Sequence, residues 1–156
     1  MSGRHTLMLI KPNAVKNEFS EQIFLEVHQH GFKILACKKL QLSKNEAEAF
    51  YFVHKGKPFF DGLVEFMTSG PIYAAVLEKD NAVADWRKLM GATDPAKAEI
   101  GTIRRKYAES VQHNAVHGSD SDANALNEIF FYFSAREIVN AGGGIIQLHD
   151  INTVSE

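Results

Sequence analysis

An α/β sandwich is the fold class this chain predicts. Stretches with strand and helix periodicity alternate in the order strand, helix, strand, helical hairpin, strand, helix, long loop, strand, helix. The length, 156 residues, suits one domain with a full core. The balance of 45% hydrophobic to 23% charged residues is that of an ordinary globular chain, which supports a packed domain over a disordered one.

Residues 6–10 form a short continuous apolar run, the pattern of a buried strand. Pro12 cannot continue a ladder, so Lys11 lies at the strand's end, where a cation points at a ligand or meets solvent. Ser20 is placed to cap the next helix, with Phe19 stapled on Phe24. Ile23, Phe24 and Val27 give that helix an apolar face, and Gly31 stops it. His28 and His30 are two apart, share no helix face, and read as surface residues. Residues 32–42 alternate Ile34, Ala36 and Leu40 against Lys33 and Lys39, a second strand.

Ser43-Lys44-Asn45-Glu46 is a capping box for a third helical segment carrying Ala47, Phe50 and Tyr51. Pro58 suits the first turn of the following helix, with Phe60, Leu63, Val64 and Met67 inward. The two helices form a hairpin with Tyr51 and Phe59 near its open end, where an aromatic serves as core or as ligand platform. Residues 72–78 are a third strand. Asn81 is placed to cap a helix carrying Val83, Trp86, Leu89 and Met90, ended by Gly91; Arg87 on it reads as part of a solvated face.

Residues 92–113 show no periodicity, and a loop that long inside a compact domain is usually functional. It holds Thr93, Arg104, Arg105 and Lys106, a local excess of positive charge. Neither G-x-x-x-x-G-K-[ST] nor G-x-G-x-x-G occurs, so a phosphate site here would use side-chain cations and hydroxyls.

Residues 114–117 read as a short fourth strand leading into the last long helix. Ser119-Asp120-Ser121-Asp122 supplies capping and acidic residues for its first turn. Ala123, Leu126, Ile129, Phe130 and Phe133 make one apolar stripe. Gly118 lets the backbone bend, so His117 sits just before a helix N-terminus, a place that attracts phosphate. A neutral imidazole there could attack phosphorus and carry a phosphoryl group; the same residues also fit a histidine held in a turn by backbone bonds. His113 and His117, four apart with Asp120 and Asp122 close by, raise a metal reading, but Gly118 and the cap argue against a helix through both histidines. Ser134-Ala135-Arg136-Glu137 is a second capping box, for a short closing helix.

The net charge of −2 gives no field that favours nucleic acid or an anionic membrane as main partner. One cysteine, Cys37, excludes an intrachain disulfide and fits a reducing compartment, hence a cytoplasmic location. No signal peptide or stretch of transmembrane length is visible.

Asn114-x-x-His117-Gly118-Ser119-Asp120 resembles the signature of the nucleoside diphosphate kinase family. Lys11-Pro12, Lys57-Pro58-Phe59-Phe60-Asp61-Gly62-Leu63, Met67-Thr68-Ser69-Gly70-Pro71, Gly91-Ala92-Thr93-Asp94-Pro95 and Gly101-Thr102-Ile103-Arg104 resemble other family segments, in family order, over about residues 4–139. The resemblance implies a ferredoxin-like β-α-β-β-α-β core, one four-stranded antiparallel sheet with helices over one face and further helices surrounding the site. It implies ping-pong transfer of a terminal phosphoryl group from a nucleoside triphosphate to a nucleoside diphosphate, broad for base and sugar, through a phosphohistidine on His117. Ser119 and Glu128 match the pair that supports this histidine, Lys11 the lysine at ribose and phosphate, and Tyr51 the tyrosine near the terminal phosphate. Phe59 matches the base platform; Arg87, Thr93 and Arg104 match the phosphate-binding positions, and Asn114 the residue at the ribose hydroxyls. Mg²⁺ would be held by nucleotide phosphates and water, with no direct protein ligand. The implied partners are nucleoside tri- and diphosphates, ATP and GTP among them, and further copies of the chain, as a tetramer or hexamer built from dimers.

Two departures stand out: Asn13 where the family usually has Asp, and Arg105-Lys106 where it often has a small and an acidic residue. The latter pair would tighten phosphate binding or lie at a subunit contact. Residues 1–140 form the expected domain; 141–144 read as flexible, and 145–156 either add a strand, dock on a partner or form a partly ordered terminus. The alternatives are a non-catalytic nucleotide-binding regulatory module of the same fold, and a nucleic-acid-binding protein using Arg104-Arg105-Lys106 and the aromatics. Every matched position is filled, against the first; the net charge and the shortness of the basic cluster stand against the second.

Overall fold

The structure is a computed structural model and describes residues 3–140. The tail 141–156 lies outside the described residues. Four strands, β1 (His5–Ile10), β2 (Lys33–Leu40), β3 (Ile72–Glu78) and β4 (Val116–Gly118), form one antiparallel sheet in the order β2-β3-β1-β4. This is the four-stranded sheet the sequence predicts, but the helices cover both faces. On one side Leu7, Leu9, Ala74 and Val76 pack with α3 (Lys44–Phe50), α4 (Phe60–Met67), α7 (Asp122–Tyr132) and α8 (Ala135–Asn140). On the other, Met8, Ile10, Ala75 and Leu77 pack with α1 (Pro12–Lys16), α2 (Ser20–Gln29), α5 (Ala82–Met90) and α6 (Ile103–Tyr107). Successive residues of β1 point to opposite faces, so a run apolar throughout fills both cores.

In β2 the simple alternation fails. The register passes from Ile34↔Leu77 to Ala36↔Val76, so Leu35 is the extra residue of a bulge, and Leu35 and Ala36 both enter the core beneath α3 and α4.

Caps account for several helix boundaries. Ser43 and Glu46 make both bonds of the capping box, at 3.2 Å and 2.9 Å. Ser134 accepts from Glu137 N–H at 3.1 Å, but the return bond is replaced by an ion pair from Glu137 to Lys38. Two expected caps do not form. Ser20 lies inside the first turn of α2 with its hydroxyl buried and unpaired, and Asn81 occupies the cap position in a left-handed conformation (φ +56°) without a side-chain bond. Phe19 and Phe24 also part company: Phe19 packs on Tyr107 and Phe24 edge-on to Tyr73. Pro58 falls in the turn before α4, which begins at Phe60. In α7 the buried positions are Ala125, Ile129 and Tyr132, while Ala123 of the expected stripe is exposed. The aperiodic stretch 92–113 contains α6, capped by Thr102, whose hydroxyl accepts from Arg105 N–H.

Candidate active site

His117 is the middle residue of β4, paired with Leu9 of β1, so it faces the same side of the sheet as Leu9, toward α3 and α7. Its neighbours Val116 and Gly118 face the opposite core. Behind Gly118 lies Trp86, whose indole N–H donates to the His117 carbonyl at 3.1 Å; a Cβ at 118 would stand 2.6 Å from the Trp86 ring. Before His117 the chain makes a γ-turn, with Val116 N–H bonded to Asn114 C=O at 2.9 Å around Ala115 at φ +72°. This is the rarer, more strained hand of that turn, and Lys11 N–H fixes it by bonding Ala115 C=O at 2.8 Å.

The His117 ring is 18% exposed and lines a cavity of about 1200 Å³. Its Nε2–H donates to Glu128 Oε1 at 2.7 Å, and the same oxygen accepts from Ser119 Oγ at 3.0 Å. Ser119 in turn accepts from Leu7 N–H at 3.2 Å, which ties the carboxylate to the edge of β1. Glu128 lies three residues after Ala125 and four before Tyr132, near enough to the buried side of α7 to reach the ring. Sequence spacing could not have placed it there. The helix itself starts five residues after His117: α7 begins at Asp122, capped by Ser121 through Asn124 N–H.

Lys11, Arg87, Thr93, Arg104 and Asn114 line the cavity together with Tyr51, Phe59, His117 and Glu128. Ser119 is fully buried behind them. Thus nine of the ten residues singled out in the sequence meet at one cavity and the tenth supports it from within. Lys11 Nζ donates to Asn114 Oδ1 at 2.7 Å. Arg104 spends three donors on backbone, to Gly91 C=O at 3.1 Å, Val116 C=O at 3.0 Å and Asn114 C=O at 3.4 Å, leaving two N–H groups for the cavity. Gly91 holds its bend at φ +85°, where a Cβ would lie 2.5 Å from the Thr102 hydroxyl.

Burial and the neighbouring Arg104 push the Lys11 ammonium down to about 7. Burial, then Arg87, pushes Arg104 down to about 10. Burial also lowers His117, assisted by Lys11 and Arg104 and opposed by Glu128, which favours a neutral ring at neutral pH. The cavity therefore combines a neutral imidazole with crowded cations that an anionic ligand would relieve.

Sequence reasoning missed several lining groups. Phe50 packs against His117 at 5.4 Å. Val111, half exposed like the expected Phe59, lines the cavity, as does Gln112. His54 lies over Tyr51, accepts from Lys57 Nζ at 3.3 Å, and is lowered by burial, Lys57 and His117. Asp120, read in the sequence as a first-turn acid of the last helix and weighed as a metal ligand, lines the cavity instead and accepts from Asn124 at 2.7 Å, a bond that lowers its carboxyl. Its place three residues after Tyr51 was the available signal for His54. Arg105 and Lys106 do not reach the cavity: Arg105 bonds Ala96 C=O and Lys106 pairs with Glu26. Asn13 bonds His113 C=O at 3.1 Å from outside the lining, and the His113 ring stacks on Phe66, so the two histidines weighed as a metal pair take separate partners.

A family model described as nucleoside diphosphate kinase matches residues 4–138. The nucleoside diphosphate kinase of Campylobacter curvus is 56% identical over 135 residues, covering 86% of this chain and 98% of the relative. That of Persephonella marina is 52% identical over 139 residues, 89% of this chain and 99% of the relative. Among solved structures, the nucleoside diphosphate kinase of Aquifex aeolicus superposes with a TM-score of 0.84 at 39% identity, covering 86% of this chain and 97% of its own. The Halobacterium salinarum enzyme in complex with CDP gives 0.83 at 34% identity, covering 97% and 98%. With the ordered motifs, the antiparallel sheet and the histidine cavity, these matches show that the chain belongs to the nucleoside diphosphate kinase family.

Proposed function

We propose that this chain transfers the terminal phosphoryl group of a nucleoside triphosphate to a nucleoside diphosphate by way of His117. The observation that carries the reading is the division of labour on one ring. Nε2–H is held by Glu128, while Nδ1 has no protein partner among the described residues and the ring borders the cavity. With its proton on Nε2, the ring keeps a lone pair on Nδ1. That lone pair attacks the terminal phosphorus, the bond to the bridging oxygen breaks, and the diphosphate leaves with that electron pair. A second diphosphate then attacks the phosphorus on Nδ1 and the ring is regenerated. Glu128, oriented by Ser119, stabilises the positive charge that the ring gains while phosphorylated.

Lys11, Arg87 and Arg104 meet the phosphate charge, with Thr93 as a hydroxyl donor. Asn114, already bonded to Lys11, takes the ribose hydroxyls, and Tyr51 faces the terminal phosphate. The base slots at the mouth between Phe59 and Val111, a stacking contact that tolerates every base. Mg²⁺ fits as an ion carried in by the nucleotide. Of the two lining carboxylates Glu128 is bound to His117, so Asp120 is the one that would meet the ion's water. When bound, the ion neutralises charge on the phosphates.

The family reading also brings assembly from dimers into a tetramer or hexamer, for which Ile100, 90% exposed, is an apolar group that a subunit contact would cover. Among the described residues no helix is long and apolar enough to cross a membrane. We place the protein in the cytoplasm on its single cysteine. The test is intact mass after brief mixing with Mg-ATP, beside His117→Ala. One phosphoryl group on the wild type only, discharged by a second diphosphate as its triphosphate, is the expected result. Nucleotide bound without added mass would make the chain a non-catalytic nucleotide-binding module.

A further inference from the structure

The short helix α6 is two-sided: Ile103 and Arg104 are buried, Arg105 and Lys106 exposed. The exposed pair is one of the chain's departures from its family, and neither residue lines the cavity. Lys106 instead pairs with Glu26 of α2, and its ammonium lies over the Tyr107 ring at 5.6 Å. Glu26 is not an ordinary surface acid. Its side chain is only 13% exposed, and its Oε2 is buried with no protein donor among the described residues. Three further contacts run the same way. Tyr107 packs on Phe19 at 4.8 Å, Asn17 Nδ2 donates to Glu109 Oε1 at 2.8 Å, and Asn13 Nδ2 donates to His113 C=O at 3.1 Å. Residues 106–113 are thus sewn to residues 13–26, and the sewn stretch is flanked by two cavity groups, Arg104 before it and Asn114 after it. The Asn17 bond is exposed and competes with water, which leaves the shielded ion pair as the strongest polar hold on the outer side of α6.

We propose that Lys106 and Glu26 are positioning residues for nucleotide binding: their ion pair holds α6 against α2 and so keeps Arg104 and Asn114 at the spacing the cavity presents to a nucleotide. Removing the ammonium leaves Glu26 as a charge with one dry oxygen and no cation beside it. The carboxylate then turns to water, and α6 loses its outer hold. A nucleotide would have to reorder the wall before binding, which weakens affinity. That consequence rests on reading the cavity as a nucleotide site; the consequence for the order of α6 does not.

The variants are Lys106→Glu, Glu26→Lys and the double reversal. Lys97→Glu is the control, the same charge change in the same loop at an exposed lysine outside these contacts. Two quantities are read below the thermal midpoint: ADP affinity by calorimetry, and hydrogen exchange at the amides of Lys106, Ala108 and Glu109, all bonded within residues 102–113. Lys106→Glu should weaken ADP binding about tenfold and speed those amides about tenfold. The double reversal should bring both back to within about threefold of the wild type, and Lys97→Glu should move neither by more than about twofold. Should Glu26→Lys or the double reversal fail to fold, Lys106→Met beside Lys97→Met makes the comparison without a reversed charge, with an expected loss of about threefold in the first only. ADP affinity unchanged in Lys106→Glu, or lowered equally in Lys97→Glu, or not regained in the double reversal, overturns the proposal. A lowered thermal midpoint with unchanged ADP affinity overturns it too and makes the pair structural only. Amides that quicken in Lys106→Glu and recover in the double reversal, with no ADP bound by the wild type, keep the hold on α6 and overturn the nucleotide reading instead.

Discussion

Arg104→Lys separates charge from geometry at the phosphate wall. The substitution keeps a cation and removes the planar fork that reaches Gly91 C=O at 3.1 Å, Val116 C=O at 3.0 Å and, weakly, Asn114 C=O at 3.4 Å. Arg104 is only 8% exposed, so carbonyls abandoned by it would remain largely dry. A hydrogen bond to a charged donor contributes about 1.5–3 kcal/mol, and two of the three here are well formed. A lysine ammonium can keep one of them, so the net loss should be about 2–3 kcal/mol. For a domain of this size that lowers the thermal midpoint by about 4–12 °C. Urea unfolding gives the free energy, and nucleotide titration run beside it gives affinity. The tether account requires the stability loss together with weaker binding, because two of the freed carbonyls, those of Asn114 and Val116, belong to the segment that carries His117. Weakened binding with unchanged stability would refute it and make Arg104 a phosphate cation alone.

Glu128→Gln should lower the rate of phosphoenzyme formation by about 100-fold with little change in nucleotide affinity, measured by single-turnover mass spectrometry, because it removes charge next to Nε2 without touching the phosphate wall. Gly118→Ala should destabilise by about 2–4 kcal/mol, combining overpacking against Trp86 and Met90 with loss of the indole bond to His117; the near-UV signal of the single tryptophan reports it, and a shift below about 1 kcal/mol would mean the core yields there. Lys11 titrates near 7 in the fold instead of 10.5, so between those values the unfolded chain holds a proton that the native one lacks and stability rises with pH. Urea midpoints between about pH 6.5 and 9 should climb in the wild type and flatten in Lys11→Met; equal slopes would remove the buried-ammonium account.

The parts of the molecule legible in sequence are those decided locally. Ser43 and Glu46 cap α3 as read because both partners lie within one turn. Ser20 and Asn81 carried the same kind of signal, yet tertiary packing and a left-handed backbone set those helix starts. The five residues of α6 are too few to show a period against the surrounding loop. Leu35 broke the alternation of β2 through a bulge that no spacing announces. At the site, family motifs named the side chains, but their partners came from the fold. Lys11 meets Asn114 across the sheet edge, and the length of the turn between β4 and α7 decides that Glu128 reaches His117. The backbone bonds of Arg104 were invisible, since carbonyls carry no sequence signature.

The γ-turn at Ala115 has a consequence for how the activity should fail on heating. Its conformation is held from outside, by the Lys11 backbone on one side and the Arg104 fork on the other, and Arg104 also grips the end of α5 at Gly91. Such a turn cannot loosen alone without breaking bonds to two other elements. The histidine platform then has no low-energy opening of its own, and belongs to the part of the molecule that comes apart only in global unfolding. Loss of turnover with temperature should follow the loss of fold, without a preceding phase in which a folded chain has already stopped working.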